Sequence, residues 1–281
     1  MSLLSPPPHL PHLSVSIYLC YSHGPLSPLV DAIFQRARRN TLSSSQLSEI
    51  RRGTASRATG SLHHFTVIAV GLTIVSQDPT AWKVNPFLYE TQLSDDLLMF
   101  SSGFFVYDIY QCVRDWYIHN DAFEFVFHGL VCGTLYGLAY MSSYWHLYAA
   151  CFLLWEASTP FLQTLWFMKE LGLRDHVLYK LNGLALALSF AVARMGWGTF
   201  AAIHLLWSIS DSLQGKLANP APWWFNRLVQ VGMPSLYLLN CVWFLKIVKG
   251  LFKAVVKNDT SSDISAKTTK IDTKETRKKT H

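Results

Sequence analysis

Apolar residues cluster along this chain in blocks of about 17 to 30, each long enough to cross a ~30 Å hydrocarbon core at about 1.5 Å per residue. Six blocks are clear, at roughly 61–77, 94–113, 121–141, 145–168, 178–209 and 234–256. The fifth, at ~32 residues, would measure about 48 Å as a helix, too long for one straight crossing. It is either strongly tilted or broken near Met195-Gly196-Trp197-Gly198. Ahead of these blocks, Ser14 to Phe34 is moderately apolar but holds His23, Gly24, Pro25, Pro28 and Asp31. It lacks the basic start of a signal peptide and reads as a degenerate first span, a re-entrant piece or a leader. The pattern predicts an all-α, multi-pass transmembrane helix bundle: six clear spans plus the degenerate N-terminal candidate. Its parts are a leader and basic loop over 1–56, a transmembrane domain over 57–256, and an unstructured, polar, Thr- and Ser-rich tail over 257–281.

Composition agrees. Half of the 281 residues are hydrophobic and 15% are charged, against about 25% in an ordinary soluble domain. Ten Trp and twelve Tyr sit largely near block ends, as interfacial anchors do.

The net charge of +6 is concentrated at two places. Arg36, Arg38, Arg39, Arg51, Arg52 and Arg57 precede the first clear block, and Lys267, Lys270, Lys274, Arg277, Lys278 and Lys279 crowd the tail. These are solvated ends, and nucleic acid is not an expected partner. An even number of spans puts both on one side, joined by Arg114, Lys169 and Arg174, while the opposite loops hold Lys83, Lys216 and Arg227. The Lys/Arg bias therefore assigns both basic segments, and the C-terminus, to the cytosol. The chain ends Lys278-Lys279-Thr280-His281, which looks like a dilysine retrieval signal read by a coat protein. It favours the endoplasmic reticulum, with the plasma membrane as the other candidate.

Four of the five cysteines, Cys112, Cys132, Cys151 and Cys241, lie in or beside apolar blocks with no paired spacing. They read as small packing residues; no metal site and no cofactor is expected.

Charges inside spans are costly and mark partners, cavities or function. Asp108, His128, Glu156 and Arg194 come from four different spans, with Gln163 and Asn182 adding uncharged polarity. Two readings stand: a buried ion pair that fixes helix register, and a polar cavity lined by these residues. Pro160, four residues after Glu156, cannot donate to the carbonyl of residue 156 and should kink the helix there. Glu156, Thr159 and Gln163 share one face. Gly129, Gly133 and Gly137 form a double G-x-x-x-G that lets another helix approach. His63 and His64 open the first clear span and read as an interfacial pair.

These residues also carry a resemblance. Ser61-x-x-His64, Ser101 through Asp108, His128, Trp155-Glu156-Ala157-Ser158-Thr159-Pro160-Phe161-Leu162, Leu178 through Gly183 with Arg194, and Asn240 through Gly250 together resemble the TLC-domain family, in order and spacing, over about residues 57–256. The resemblance is to its small members linked to membrane lipid composition more than to the ceramide synthases. The latter carry a second His where this chain has Gly129, and an Asp pair where it has Glu156 and its Ser/Thr neighbours. The resemblance implies a lipid-handling membrane protein whose partners are membrane lipids or acyl chains. The alternative is a ceramide-synthase-like acyltransferase with His128 as nucleophile or base and Glu156 orienting it.

Overall fold

The computed structural model describes residues 26–77, 82, 86–114, 122–217 and 221–278, with side chains of the last helix described as far as Lys253. Every regular element among the described residues is helical. In chain order they are α1 (Ser27–Ala37), α2 (Ser44–Gln77), α3 (Gln92–Arg114), α4 (Ala122–Ser142) and α5 (His146–Leu153). A 3₁₀ stretch (Leu154–Ser158) leads into α6 (Thr159–Glu170). Then follow α7 (Val177–Phe190), a π-helical stretch (Ala191–Trp197), α8 (Gly198–Leu213) and α9 (Trp223–Lys278).

Local chemistry sets the ends. Pro28 sits in the first turn of α1, where its missing N–H costs nothing. Arg39 and Asn40 take positive φ angles of 52° and 59° and turn the chain toward α2. At the start of α3, Thr91 N–H bonds Ser94 Oγ at 2.9 Å and Ser94 N–H bonds Thr91 Oγ1 at 3.1 Å, a reciprocal cap.

Four helices are long and apolar enough to cross a membrane: Ser44–Gln77, Phe123–Ser142, Val177–Leu213 and Trp223–Lys253. The chain is thus an all-helical integral membrane protein. The block expected at 94–113 is α3, which has the length, at 23 residues, but is diluted by Asp95, Asp96, Asp108 and Gln111. The block at 145–168 is split by its 3₁₀ turn into helices of 8 and 12 residues. The fifth block leaves α-helical geometry at the π stretch, which takes in Met195 to Trp197, but does not end there: α7, the π stretch and α8 form one path of 37 residues. Of the N-terminal candidate, residues 14–25 lie outside the described residues. The remainder belongs to α1, whose 11 residues reach about 16 Å, half a hydrocarbon core. Over 257–278, where no structure was expected, the backbone continues helical.

All eight residues of α5 are buried. A helix apolar on every side belongs at the centre, and here α2, α3, α4 and α8 surround it. The α3–α4 pair is close because of glycine. A Cβ on Gly129 would meet Ile109 Cγ1 at 2.7 Å, and one on Gly133 would meet Phe105 Cβ at 3.4 Å. Outward faces carry exposed Val106, Phe123, Val192, Trp207 and Val231, a surface suited to hydrocarbon and costly in water.

Candidate functional site

The site begins with a backbone fault. Pro160 cannot donate to the carbonyl of Glu156. The N–H of Thr159 bonds that carbonyl instead, which tightens 154–158 into a 3₁₀ turn. In an α-helix the same N–H would have gone to Trp155 O. That freed carbonyl accepts a hydrogen bond from Arg194 Nε at 3.0 Å and another from Ser158 Oγ at 3.3 Å.

Arg194 lies within the second irregular stretch, the π-helical turn, a form that recurs at functional sites. The two faults pack against each other. Non-α backbone at membrane depth is tolerated where protein buries it and satisfies its groups, and Arg194 does this. Besides Trp155 O, it donates to Ser158 Oγ at 3.1 Å, to Asn240 Oδ1 at 2.8 Å and to Thr159 Oγ1 at 3.2 Å. It is 5% exposed. Its guanidinium also stands 5.0 Å from the Phe190 ring and 5.7 Å from Trp243.

Glu156 supplies the opposite charge, with Arg194 Nη2 3.7 Å from its Oε2. The same oxygen accepts from the Thr159 hydroxyl at 2.5 Å and lies 3.1 Å from His64 Nδ1. All three contacts converge on Oε2, and no described residue donates a hydrogen bond to Oε1. A carboxylate held by one oxygen keeps the other available as an acceptor.

The interfacial position expected for His64 is corrected. Because α2 starts at Ser44 rather than at residue 61, His63 and His64 fall five turns inside it and are buried at 1% and 7% exposure. His63 stacks on Phe104 with centroids 3.8 Å apart and sits 3.3 Å from Ser101 Oγ. His64 is the histidine that meets Glu156.

His128 occupies another position. Its Nε2 is 3.5 Å from Cys132 Sγ, and its ring lies between Phe105 and Trp243, with centroids 5.8 and 5.5 Å away. No hydrogen bond joins it to Glu156 among the described residues. Trp243 is fixed from below: its indole N–H donates to Glu124 Oε2 at 2.6 Å, and Lys246 bonds the other Glu124 oxygen at 2.5 Å.

His128 and Glu156 nevertheless line one pocket of about 50 Å³, room for a few water-sized groups. Its walls run along α4 from His128 through Cys132 and Tyr136 to Ala139, a rise of about 16 Å. Opposite stand Phe152, Trp155, Leu205, Phe225 and Met233. The pocket is narrow and apolar, with the histidine and the carboxylate among its few polar groups.

The other candidates lie outside this lining. Arg194 stands behind Glu156. Gln163 Oε1 accepts from Ser61 at 2.7 Å, and Asn182 Nδ2 donates to the carbonyl of Phe161 at 2.8 Å, so these two tie α6 to α2 and α7. Asp108 is half-buried on α3. The Lys278 side chain and all of Lys279 lie outside the described residues. Asn240 and Ser158, absent from the expected site, both hold Arg194; their place in the family motifs was the signal available.

One further group has metal-binding residue types. Donor atoms of Glu90, Asp95 and His146 come within 4.8 Å of one another. His146 Nε2 donates to Ala139 O at 3.1 Å, and its Nδ1 is hydrogen-bonded with Ser94 Oγ at 3.0 Å and lies 3.2 Å from Asp95 Oδ1.

Comparison with known proteins decides the family. The TLC domain family model matches residues 54–249, the stretch that runs from within α2 to about the middle of α9. The chain belongs to the TLC-domain family. TLC domain-containing protein 4 A of Dictyostelium discoideum is 28% identical over 191 residues, covering 65% of this chain and 68% of that one. An uncharacterized TLC domain-containing protein of Schizosaccharomyces pombe is 27% identical over 191 residues, 68% of this chain and 62% of its own length. Topoisomerase I damage affected protein 4 of Saccharomyces cerevisiae is 28% identical over 180 residues, 60% of each. The chain therefore spans between 60% and 68% of the length of these relatives. Both irregular stretches, and every side chain around Glu156, fall inside the TLC domain.

Proposed function

We propose that this TLC-domain protein handles lipids, and that the pocket beside Glu156 and His128 receives an acyl chain and so influences membrane lipid composition. One observation carries the reading: a narrow apolar cleft meets a carboxylate whose Oε2 is held by His64, Thr159 and Arg194. Such a cleft suits a slender chain better than a bulky ring, and the carboxylate oxygen to which no described residue donates suits a lipid's polar, hydrogen-donating part. In this reading six segments cross the bilayer, α3 and the α5–α6 run packing against the longer apolar helices and completing the bundle with them. The transmembrane domain is 57–256, flanked by the basic segments, both cytosolic. The dilysine end returns the protein to the endoplasmic reticulum through coat-protein recognition.

A second reading is acyl transfer, with His128 as nucleophile or base. It is favoured by the placement of His128 and Glu156 on one pocket. The comparison that separates the two is lipid profiling of membranes lacking the protein, rescued with wild type, Glu156→Gln or His128→Ala. Lipid handling predicts that wild type restores the lipid profile and Glu156→Gln does not. Acyl transfer predicts in addition that His128→Ala fails and that purified protein consumes an activated acyl donor. No lipid class changing on removal of the protein would overturn both.

A further inference from the structure

The helix α1 has two apolar faces, and the bundle uses one. Val30 and Phe34 are buried against Ile50, Trp166, Phe167 and Leu171, in a small cluster separate from the main core. On the adjoining face, Leu29 and Ile33, one turn apart, are 57% and 49% exposed. Arg36 continues that face at the following turn, and Arg38 and Arg39 come directly after; all three are exposed. The one acidic residue of α1, Asp31, is already engaged, 3.3 Å from Arg51 Nε. Between residues 36 and 57 six arginines face a single acid, Glu49.

The height of α1 in the fold adds a second argument. It packs on α2 at Ile50 and on α6 at Trp166 and Phe167. Counting a ~30 Å core back from Gln77 along α2 takes about 20 residues and reaches the neighbourhood of Arg57; Ile50 lies about 10 Å farther out, at headgroup level. Arg57 stacks 3.9 Å over the Trp166 ring there, an aromatic–cation pairing of the type found at membrane interfaces.

We infer that α1 is an interfacial helix that docks on acidic lipids of the surrounding membrane, inserting Leu29 and Ile33 between headgroups while Arg36, Arg38 and Arg39 bind their phosphates and carboxylates. The occupant is the lipid surface rather than another protein, because the exposed apolar pair runs into three exposed arginines, its one neighbouring acid is already paired with Arg51, and it lies at the depth where such headgroups sit. Neutral headgroups offer the arginines no net attraction, so the docking depends on lipid charge. It is independent of what the inner pocket binds.

The test uses the full chain in lipid nanodiscs, with its native cysteines replaced and an environment-sensitive fluorophore on Ile33→Cys. Thermal unfolding of each variant checks that the bundle is intact. In discs of phosphatidylcholine with a third phosphatidylserine, the emission should shift to the blue and iodide quenching should fall several-fold, relative to phosphatidylcholine alone. The difference should shrink when salt rises from about 0.1 M to about 1 M, which shortens the Debye length from about 10 to about 3 Å. It should vanish in the combined Arg36→Gln, Arg38→Gln and Arg39→Gln variant. Equal burial of the probe in both lipids, or a response that survives the arginine substitutions, overturns the charge-dependent docking. Full iodide access in both lipids overturns docking altogether and leaves the face to a protein partner.

Discussion

His64 Nδ1 lies 3.1 Å from Glu156 Oε2, and Arg194 Nη2 lies 3.7 Å from the same oxygen. Three helical segments thus meet at one carboxylate oxygen, inside a bundle that offers little other polarity. A guanidinium in such a place stays charged, so it needs a counter-charge. Glu156 provides that charge, while Ser158, Asn240 and the Trp155 carbonyl occupy its other N–H groups.

Removing the carboxylate should therefore cost more than removing its charge alone. Glu156→Leu leaves Arg194 buried without a counter-ion and should lower stability by about 3–5 kcal/mol. Glu156→Gln keeps the shape and an acceptor and should cost less. Unfolding in detergent measures both, and equal stability of Leu and wild type would contradict the ion-pair geometry. A double-mutant cycle of His64→Ala with Glu156→Gln should give a coupling of about 0.5–3 kcal/mol. The corresponding cycle of His128→Ala with Glu156→Gln should give a smaller one, because no hydrogen bond joins that pair.

Two glycines should respond in opposite directions to alanine. A Cβ on Gly198 would collide with the Trp155 indole Nε1, the side chain next to the freed carbonyl that Arg194 uses. Gly198→Ala should destabilise by about 1–3 kcal/mol and disturb lipid profiles. Gly137 has nothing within 4 Å of a built Cβ, so Gly137→Ala should be neutral or gain up to about 1 kcal/mol from the helix preference. Loss of stability at Gly137 would mean that another chain packs there.

Orientation can be read with glycans. An acceptor sequence placed in residues 78–93 should be modified, and one placed in 36–43 should not. The reverse pattern would put the basic segments on the lumenal side and overturn the proposed topology.

The C-terminal lysines make a separate prediction. Lys278→Ala with Lys279→Ala should move a tagged protein from the endoplasmic reticulum toward later compartments, seen by microscopy. Unchanged localisation removes the retrieval signal and with it the compartment assignment.

Sequence by itself determined the membrane class, the all-helical fold, the family and the four chemically unusual residues of the interior. These follow from local quantities: block length, turn residues, charge bias, and the rarity of an ionisable group in an apolar run. Pro160 even announced the kink at Glu156. What only the tertiary structure decided is who meets whom. Periodicity could not tell that α2 begins at Ser44, so it set His64 at an interface when the fold buries it against Glu156. Nor could spacing choose among the polar residues: it grouped Gln163 and Asn182 with the site, whereas they tie neighbouring helices together. Arg194 reaches Trp155 O and Asn240 because a π turn re-aims one residue and a 3₁₀ turn frees one carbonyl. Both depend on how two helices pack, a relation between distant segments that one-dimensional order does not contain.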